Sequence, residues 1–128
     1  MMERLDERAR QRVGGAAWDA IRPKFEQINE ALMSVSDTTT GELTTIYIKY
    51  TSAETGSNPF AVLWVKKSTE MTLGLALPEN FKSEQISGPA RNMKYTGLTG
   101  YITIGLDDDV PKEISDWVSA AYAHLSGG

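Results

Sequence analysis

The residues able to act in catalysis are few, and they do not form a recognisable catalytic set. His124 is the chain's single histidine, and it falls in the last turn of a predicted helix, where a cation is stabilised by the helix dipole. Serine and threonine are common, but the chain has neither a Gly-x-Ser-x-Gly sequence nor a cysteine. We therefore predict no catalytic residue. An enzyme with an unrecognised site ranks third among the candidate functions.

The run Asp107–Asp109 is the densest group of potential metal ligands. A calcium loop needs further ligands at regular spacing and a bidentate acid at its end, and Val110-Pro111 interrupts that spacing. The acids are better suited to capping a helix that starts at Pro111. Gly97–Gly100 leads into a strand, so it is predicted to be a hairpin turn and not a phosphate loop. The sequence thus predicts no metal and no cofactor.

Two predicted strands have an unusual second face. Leucine or isoleucine alternates with small residues over 72–77 and 101–106, which is typical of strands with one buried face. The other face carries Thr, Gly and Ala where a solvated sheet normally carries charge. This small-residue face is predicted to bind a second copy of the chain, a small molecule or a peptide, unless the N-terminal arm covers it. Its predicted residues are Tyr47, Trp64, Thr72, Gly74, Ala76, Tyr101, Thr103 and Gly105.

The alternative prediction is DNA binding through a basic end of the sheet. Lysine and arginine would contact phosphates there, and a tyrosine ring would stack on bases. Solvated charged turns explain the same residue types. The residues of this predicted patch are Lys66, Lys67, Arg91, Lys94 and Tyr95.

Composition limits the partners and the compartment. With 13 basic and 17 acidic residues the net charge is −4, which disfavours non-specific attraction to nucleic acid or anionic lipid. No apolar run approaches the ~20 residues that span a bilayer. The charged first residues do not match a signal peptide, so a cytoplasmic location without a membrane partner is predicted. We expect a homodimer or a complex with a small ligand or peptide.

The elements predicted to position these residues make an α+β domain. A charged arm over 1–15 precedes one domain over 16–126. Helical spacing predicts one helix around Trp18–Leu32, with a kink or restart at Pro23, and another over Pro111–Leu125. Strands are predicted at 43–50, 60–65, 71–77 and 101–106, with a weak one at 92–96. About five antiparallel strands with both helices on the leucine-rich face form a two-layer sandwich.

The strand and helix patterns resemble a known bacterial family. The segments Thr45–Tyr50, Phe60–Val62, Leu73–Pro78 and Gly100–Leu106, with the closing helix through Tyr122, resemble a bacterial domain of unknown function. That domain occurs alone and at the C-terminus of predicted transport proteins. Leu106–Ile114 through Tyr122 is also similar to the YjbR/MmcQ-like family, whose fold resembles secretion chaperones and for which DNA binding has been proposed. Neither resemblance implies a catalytic residue.

Overall fold

A computed structural model describes residues 6–7, 10–11, 14–43, 47–56, 58–67, 70–78, 86, 98–105 and 108–126. Only the backbone is described at residues 17 and 65–67.

The described residues include two helices and a five-stranded antiparallel sheet. The strands are hydrogen-bonded in chain order as a meander, and one of these helices precedes the sheet while the other follows it. This confirms the predicted α+β class. The elements are α1 (Gly15–Met33), β1 (Thr40–Leu43), β2 (Tyr47–Thr51), β3 (Ala61–Lys67), β4 (Glu70–Leu75), β5 (Gly100–Gly105) and α2 (Ile114–Ser126).

The main core lies between both helices and the leucine-rich face of the sheet. The apolar stripe of α1 is completely buried, as its three-and-four spacing predicts, and Trp18 packs on Phe25 with 5.7 Å between ring centroids. Leu73 and Ile102 contribute from the sheet, and Trp117 from α2. Because both helices share one cluster with one sheet face, the predicted packing of the two helices on that face is confirmed.

Helix α1 runs through Pro23 as one helix, so of the kink or restart predicted there the restart does not occur. Proline removes the donor that would otherwise bond to the carbonyl of Asp19. Both Pro23 and Asp19 are exposed, so water can take the place of that donor. Gly14 precedes the helix with φ +97°, a left-handed conformation that favours glycine.

The segment 43–50, predicted to be one strand, belongs to two. Leu43 at the end of β1 pairs with Ile48 in β2, so the chain reverses between them. The segment is rich in β-branched and aromatic residues, and it lacks the Gly, Asn or Pro residues that usually mark a turn. The predicted strand over 92–96 lies outside the described residues.

Helix α2 begins at Ile114, three residues later than predicted from Pro111. The Ile114 N–H donates to the Pro111 carbonyl at 3.2 Å, so a turn precedes the helix. Among the described residues, no helix has the length and apolar character needed to cross a membrane.

Candidate functional site

The residues predicted to form the small-residue face do share one side of the sheet. Tyr47 pairs with Trp64, Trp64 with Thr72, and Thr72 with Thr103, giving a straight cross-strand row over four strands. Gly74 pairs with Tyr101 in the next row. Directly opposed residues of antiparallel strands point to the same face, and this face is opposite the helices.

The face is not the bare floor that its small residues predicted. Rings from neighbouring strands lean over Gly74: a Cβ built there would lie 2.8 Å from Leu98 Cδ1, 3.0 Å from Tyr101 Cε2 and 3.1 Å from Trp64. The centroids of Trp64 and Tyr101 are 6.1 Å apart, and those of Trp64 and Tyr47 are 5.8 Å apart. A side chain at this position would force Leu98 and the two rings to shift, so glycine lets them close over the strand.

Burial separates the accessible part of the face from its interior. Trp64, Thr72, Ala76 and Tyr101 are 6%, 4%, 1% and 3% exposed. Thr103 is exposed, and Tyr47 and Gly105 are half-buried. The residues that can contact a partner directly therefore lie at the two ends of the cross-strand row, on β2 and β5.

A charge pair flanks the face on the β1 side. Lys49 pairs with Val62 on the same side of the sheet, and Glu42 of β1 is opposite Lys49, with 3.8 Å between Nζ and Oε2. The apolar cluster is therefore bounded by charge at one edge.

Leu98 and Thr99 continue the sheet where a hairpin turn was predicted. The Thr99 N–H donates to the Leu75 carbonyl at 3.0 Å, and the Thr99 hydroxyl bonds to both the N–H and the carbonyl of Leu77. The two residues thus run beside the end of β4, which carries Leu98 onto the small-residue face. Gly97 lies outside the described residues.

The N-terminal arm does not cover this face in the part that is described. Asp6 accepts a hydrogen bond from the indole N–H of Trp18 at 2.7 Å and lies 3.2 Å from Arg22. Arg10 pairs with Asp19 at 2.5 Å. These contacts fix the arm to α1, in the helix layer on the opposite side of the sheet.

Most of the predicted basic patch lies outside the residues that the structure describes. Lys66 and Lys67 belong to β3, but their side chains are not described, and Arg91, Lys94 and Tyr95 lie outside the described residues. DNA binding through this patch stays a prediction.

The described residues of the acidic run, Asp108 and Asp109, do not adjoin α2, which begins at Ile114. Asp108 Oδ2 accepts the Gly105 N–H at 2.8 Å, and the Asp108 N–H donates to the Gly105 carbonyl at 3.1 Å. Asp108 therefore closes a turn at the end of β5, a consequence of the later start of α2. His124 lies exposed in the last turn of that helix, as predicted. No cluster of three or more potential metal-binding side chains occurs in the described part of the chain.

Sequence reasoning missed a polar cluster around one exposed carboxylate. Glu54 Oε1 accepts hydrogen bonds from Tyr122 at 2.6 Å and from Ser36 at 3.0 Å, and Oε2 accepts one from Thr38 at 2.7 Å. The Thr38 hydroxyl also accepts the N–H of Ala53 at 3.1 Å. We call Ser36, Thr38, Glu54 and Tyr122 the Glu54 cluster.

Hydrogen bonds make the Glu54 carboxylate a poor proton acceptor. The bond from Tyr122, followed by that from Thr38, lowers the pKa of Glu54 from 4.5 to about 2, because each donor stabilises the charged form. A general base that works at neutral pH needs a pKa near neutrality. The cluster is therefore suited to joining two loops to α2 and not to proton transfer.

Tyr50 is a further buried hydroxyl with a structural role. Its side chain is completely buried in the main core, and its hydroxyl donates to Asn29 Oδ1 at 2.7 Å. Burial raises the pKa of Tyr50, because the phenolate would lose its hydration. The neutral phenol thus links β2 to α1.

Comparison of the chain with protein-family models, with curated protein sequences and with solved structures gives no match. The function is therefore inferred from the geometry of the chain's own residues.

Proposed function

We propose that the protein is a non-enzymatic binding module that self-associates through its small-residue face. One observation carries the proposal: the sheet has a second apolar cluster on the face opposite the helices. It consists of Val62, Trp64, Ala76, Leu98 and Tyr101, with Tyr47 of β2 and Leu125 from the last turn of α2 packed against it.

A second apolar face is unusual for a two-layer sandwich. An antiparallel sheet covered on one face normally presents polar side chains on the other. Here aromatic rings and small residues take those positions. Trp64 and Tyr101 are buried within the single chain, which leaves Tyr47 as the ring that can contact a partner, and aromatic rings are enriched in protein interfaces. The accessible Thr103 and Gly105 are small, so a second sheet could pack closely against β5.

A small molecule or peptide seated at the same place is the other occupant that this face suits. The half-buried Tyr47 ring, next to the Glu42–Lys49 pair, would supply an apolar contact beside charge. For either occupant we place the protein in the cytoplasm, since a chain without cysteine makes no use of an oxidising compartment.

Thr103→Glu tests self-association, because it puts charge on the accessible end of the face. Gly74 is unsuitable, since its Cβ would collide with Leu98. We expect a wild-type dimer in sedimentation equilibrium and a Thr103→Glu monomer with an unchanged far-UV circular dichroism spectrum. Ala20→Glu, on the exposed side of α1, is the matched control and should remain dimeric.

Native mass spectrometry of the purified wild type separates the two occupants. A dimer mass supports self-association. A monomer that retains a small molecule or peptide, released by Thr103→Glu, moves the proposal to that ligand. A monomer without a retained ligand, or a Thr103→Glu dimer as stable as the wild type, overturns it.

A further inference from the structure

A cleft of about 460 Å³ opens between the C-terminal half of α1 and the start of α2. It exists because α2 begins at Ile114, so Val110 and Pro111 run as non-helical chain beside α1. We call it the helix cleft. It lies in the helix layer, and none of its lining residues belongs to the small-residue face. Small-molecule sites commonly have volumes of about 300 to 1,000 Å³.

The lining divides into an apolar floor and a polar rim. The floor residues are buried or half-buried, and the rim residues are exposed. Such a division suits a ligand with an apolar body and a polar end. The floor consists of Ala31, Val35, Val110, Pro111 and Ile114, and the rim of Gln27, Glu30, Ser34, Ser115 and Ser119.

The charge in the described lining of the helix cleft is negative, since Glu30 is the one charged residue among the described residues that line it. The last turn of α1 contains no basic residue, so the negative end of that helix dipole is not offset from within the helix. On the other wall, the acidic Asp116 offsets the positive end of α2. Lys24 keeps its positive charge, but its ammonium donates to the Asp108 carbonyl and is not part of the cleft lining.

From this arrangement we infer that the helix cleft is a binding site for a small amphipathic amine. The apolar body lies on the floor formed around Ile114 and Val35. The ammonium lies at the rim, where the Glu30 carboxylate and the serine hydroxyls accept its hydrogen bonds. This site is separate from the proposed self-association face and does not depend on it.

Three probes of nearly equal shape but different charge test the inference: phenethylamine, phenethyl alcohol and hydrocinnamate. Each is titrated into the 128-residue chain while amide resonances are followed by NMR. We expect phenethylamine to shift resonances of cleft residues and to bind most tightly, and hydrocinnamate to bind most weakly. Equal affinities for the three probes, or shifts confined to other parts of the protein, would overturn the inference.

Two substitutions locate the site. Glu30→Gln should reduce the preference for the amine over the alcohol by about two- to fivefold, the range expected for one exposed ion pair. Glu26→Gln, one turn earlier and outside the lining, should leave that preference unchanged. Ser115→Trp fills the cleft from an exposed position and should abolish binding of all three probes. An undiminished preference in Glu30→Gln, or undiminished binding in Ser115→Trp, contradicts the assignment.

Thr103→Glu keeps this proposal distinct from the proposed function. It should bind phenethylamine like the wild type, whatever its oligomeric state. Loss of amine binding in Thr103→Glu would contradict a site located in the helix layer.

Discussion

Single residues here connect segments that are distant in sequence. Glu54 in the β2–β3 connection accepts hydrogen bonds from hydroxyl groups of the α1–β1 loop and of α2. Its side chain is exposed, so its effect on folding comes from the hydrogen bonds it accepts and not from burial. Because charged acceptors form stronger hydrogen bonds than neutral ones, the cluster depends on the ionised carboxylate.

Glu54→Gln should destabilise the protein at neutral pH and have less effect in acid. The folded-state pKa of Glu54, about 2, lies below its ordinary value of 4.5. The stability it contributes is therefore complete above the ordinary value and is lost as the pH falls toward 2. Urea unfolding of wild type and variant across that window measures the difference. Glu42→Gln, on edge strand β1, is the control, and a difference that stays constant with pH contradicts the prediction.

Residue patterns predicted the sheet face but not the Glu54 cluster. Period-two alternation is a local signal, and it brought Thr72 and Thr103 to the same side of the sheet. The members of the cluster come from three separate segments, so no local spacing links them. Nor could alternation show that Trp64 and Tyr101 close over Gly74, since ring orientation depends on tertiary packing.

Among the elements, the charged arm packs against the helix layer through its described residues. Its Asp6 carboxylate satisfies the indole N–H of the completely buried Trp18 and contacts Arg22. The start of α1 at Gly15 coincides with the predicted end of the charged arm. The sequence could not predict the contacts of Asp6, because it does not show which carboxylate meets a core side chain.

Asp6→Ala should destabilise the protein by about 1 to 3 kcal/mol, the usual cost of leaving a buried donor without its partner. It should also change the fluorescence of Trp18. Urea unfolding followed by tryptophan fluorescence measures both effects. Glu7→Ala removes an exposed carboxylate from the same arm and should change stability little. Equal losses in the two variants would show that the arm acts through general charge and not through the hydrogen bond to Trp18.

The boundaries of helices and strands were predictable where the sequence has a strong amphipathic pattern. They were not predictable where neighbouring residues are of similar type. The buried stripe of α1 follows directly from its spacing, and the central position of β3 from its continuous apolar run. The β1–β2 reversal falls inside a β-branched segment and so leaves no signal. Proline at 111 fits a first helical position, but the turn that it begins delays α2 to Ile114.

At the scale of the whole molecule, the main core joins the helices to the sheet, and a second apolar cluster lies on the other face of the sheet. Helices from the two ends of the described chain cover one sheet face and contact each other, so neither can leave without exposing the main core. The aromatic cluster on the other face shares its strands with that core. Since the strands β3 and β5 contribute buried residues to both clusters, loss of either cluster should disrupt the sheet and unfold the other.

The three tryptophans report on different parts of the fold, because Trp18 lies in α1, Trp117 in α2 and Trp64 on the small-residue face. Variants that keep one tryptophan and carry phenylalanine at the other two positions isolate each signal. In every variant, urea unfolding followed by fluorescence should coincide with unfolding followed by far-UV circular dichroism, because the sheet couples the layers. The Trp64 variant is decisive: a fluorescence transition at lower urea than the loss of secondary structure would mean that the aromatic face opens independently. Coincidence in all three variants would instead show that the aromatic face is an integral part of the cooperative fold.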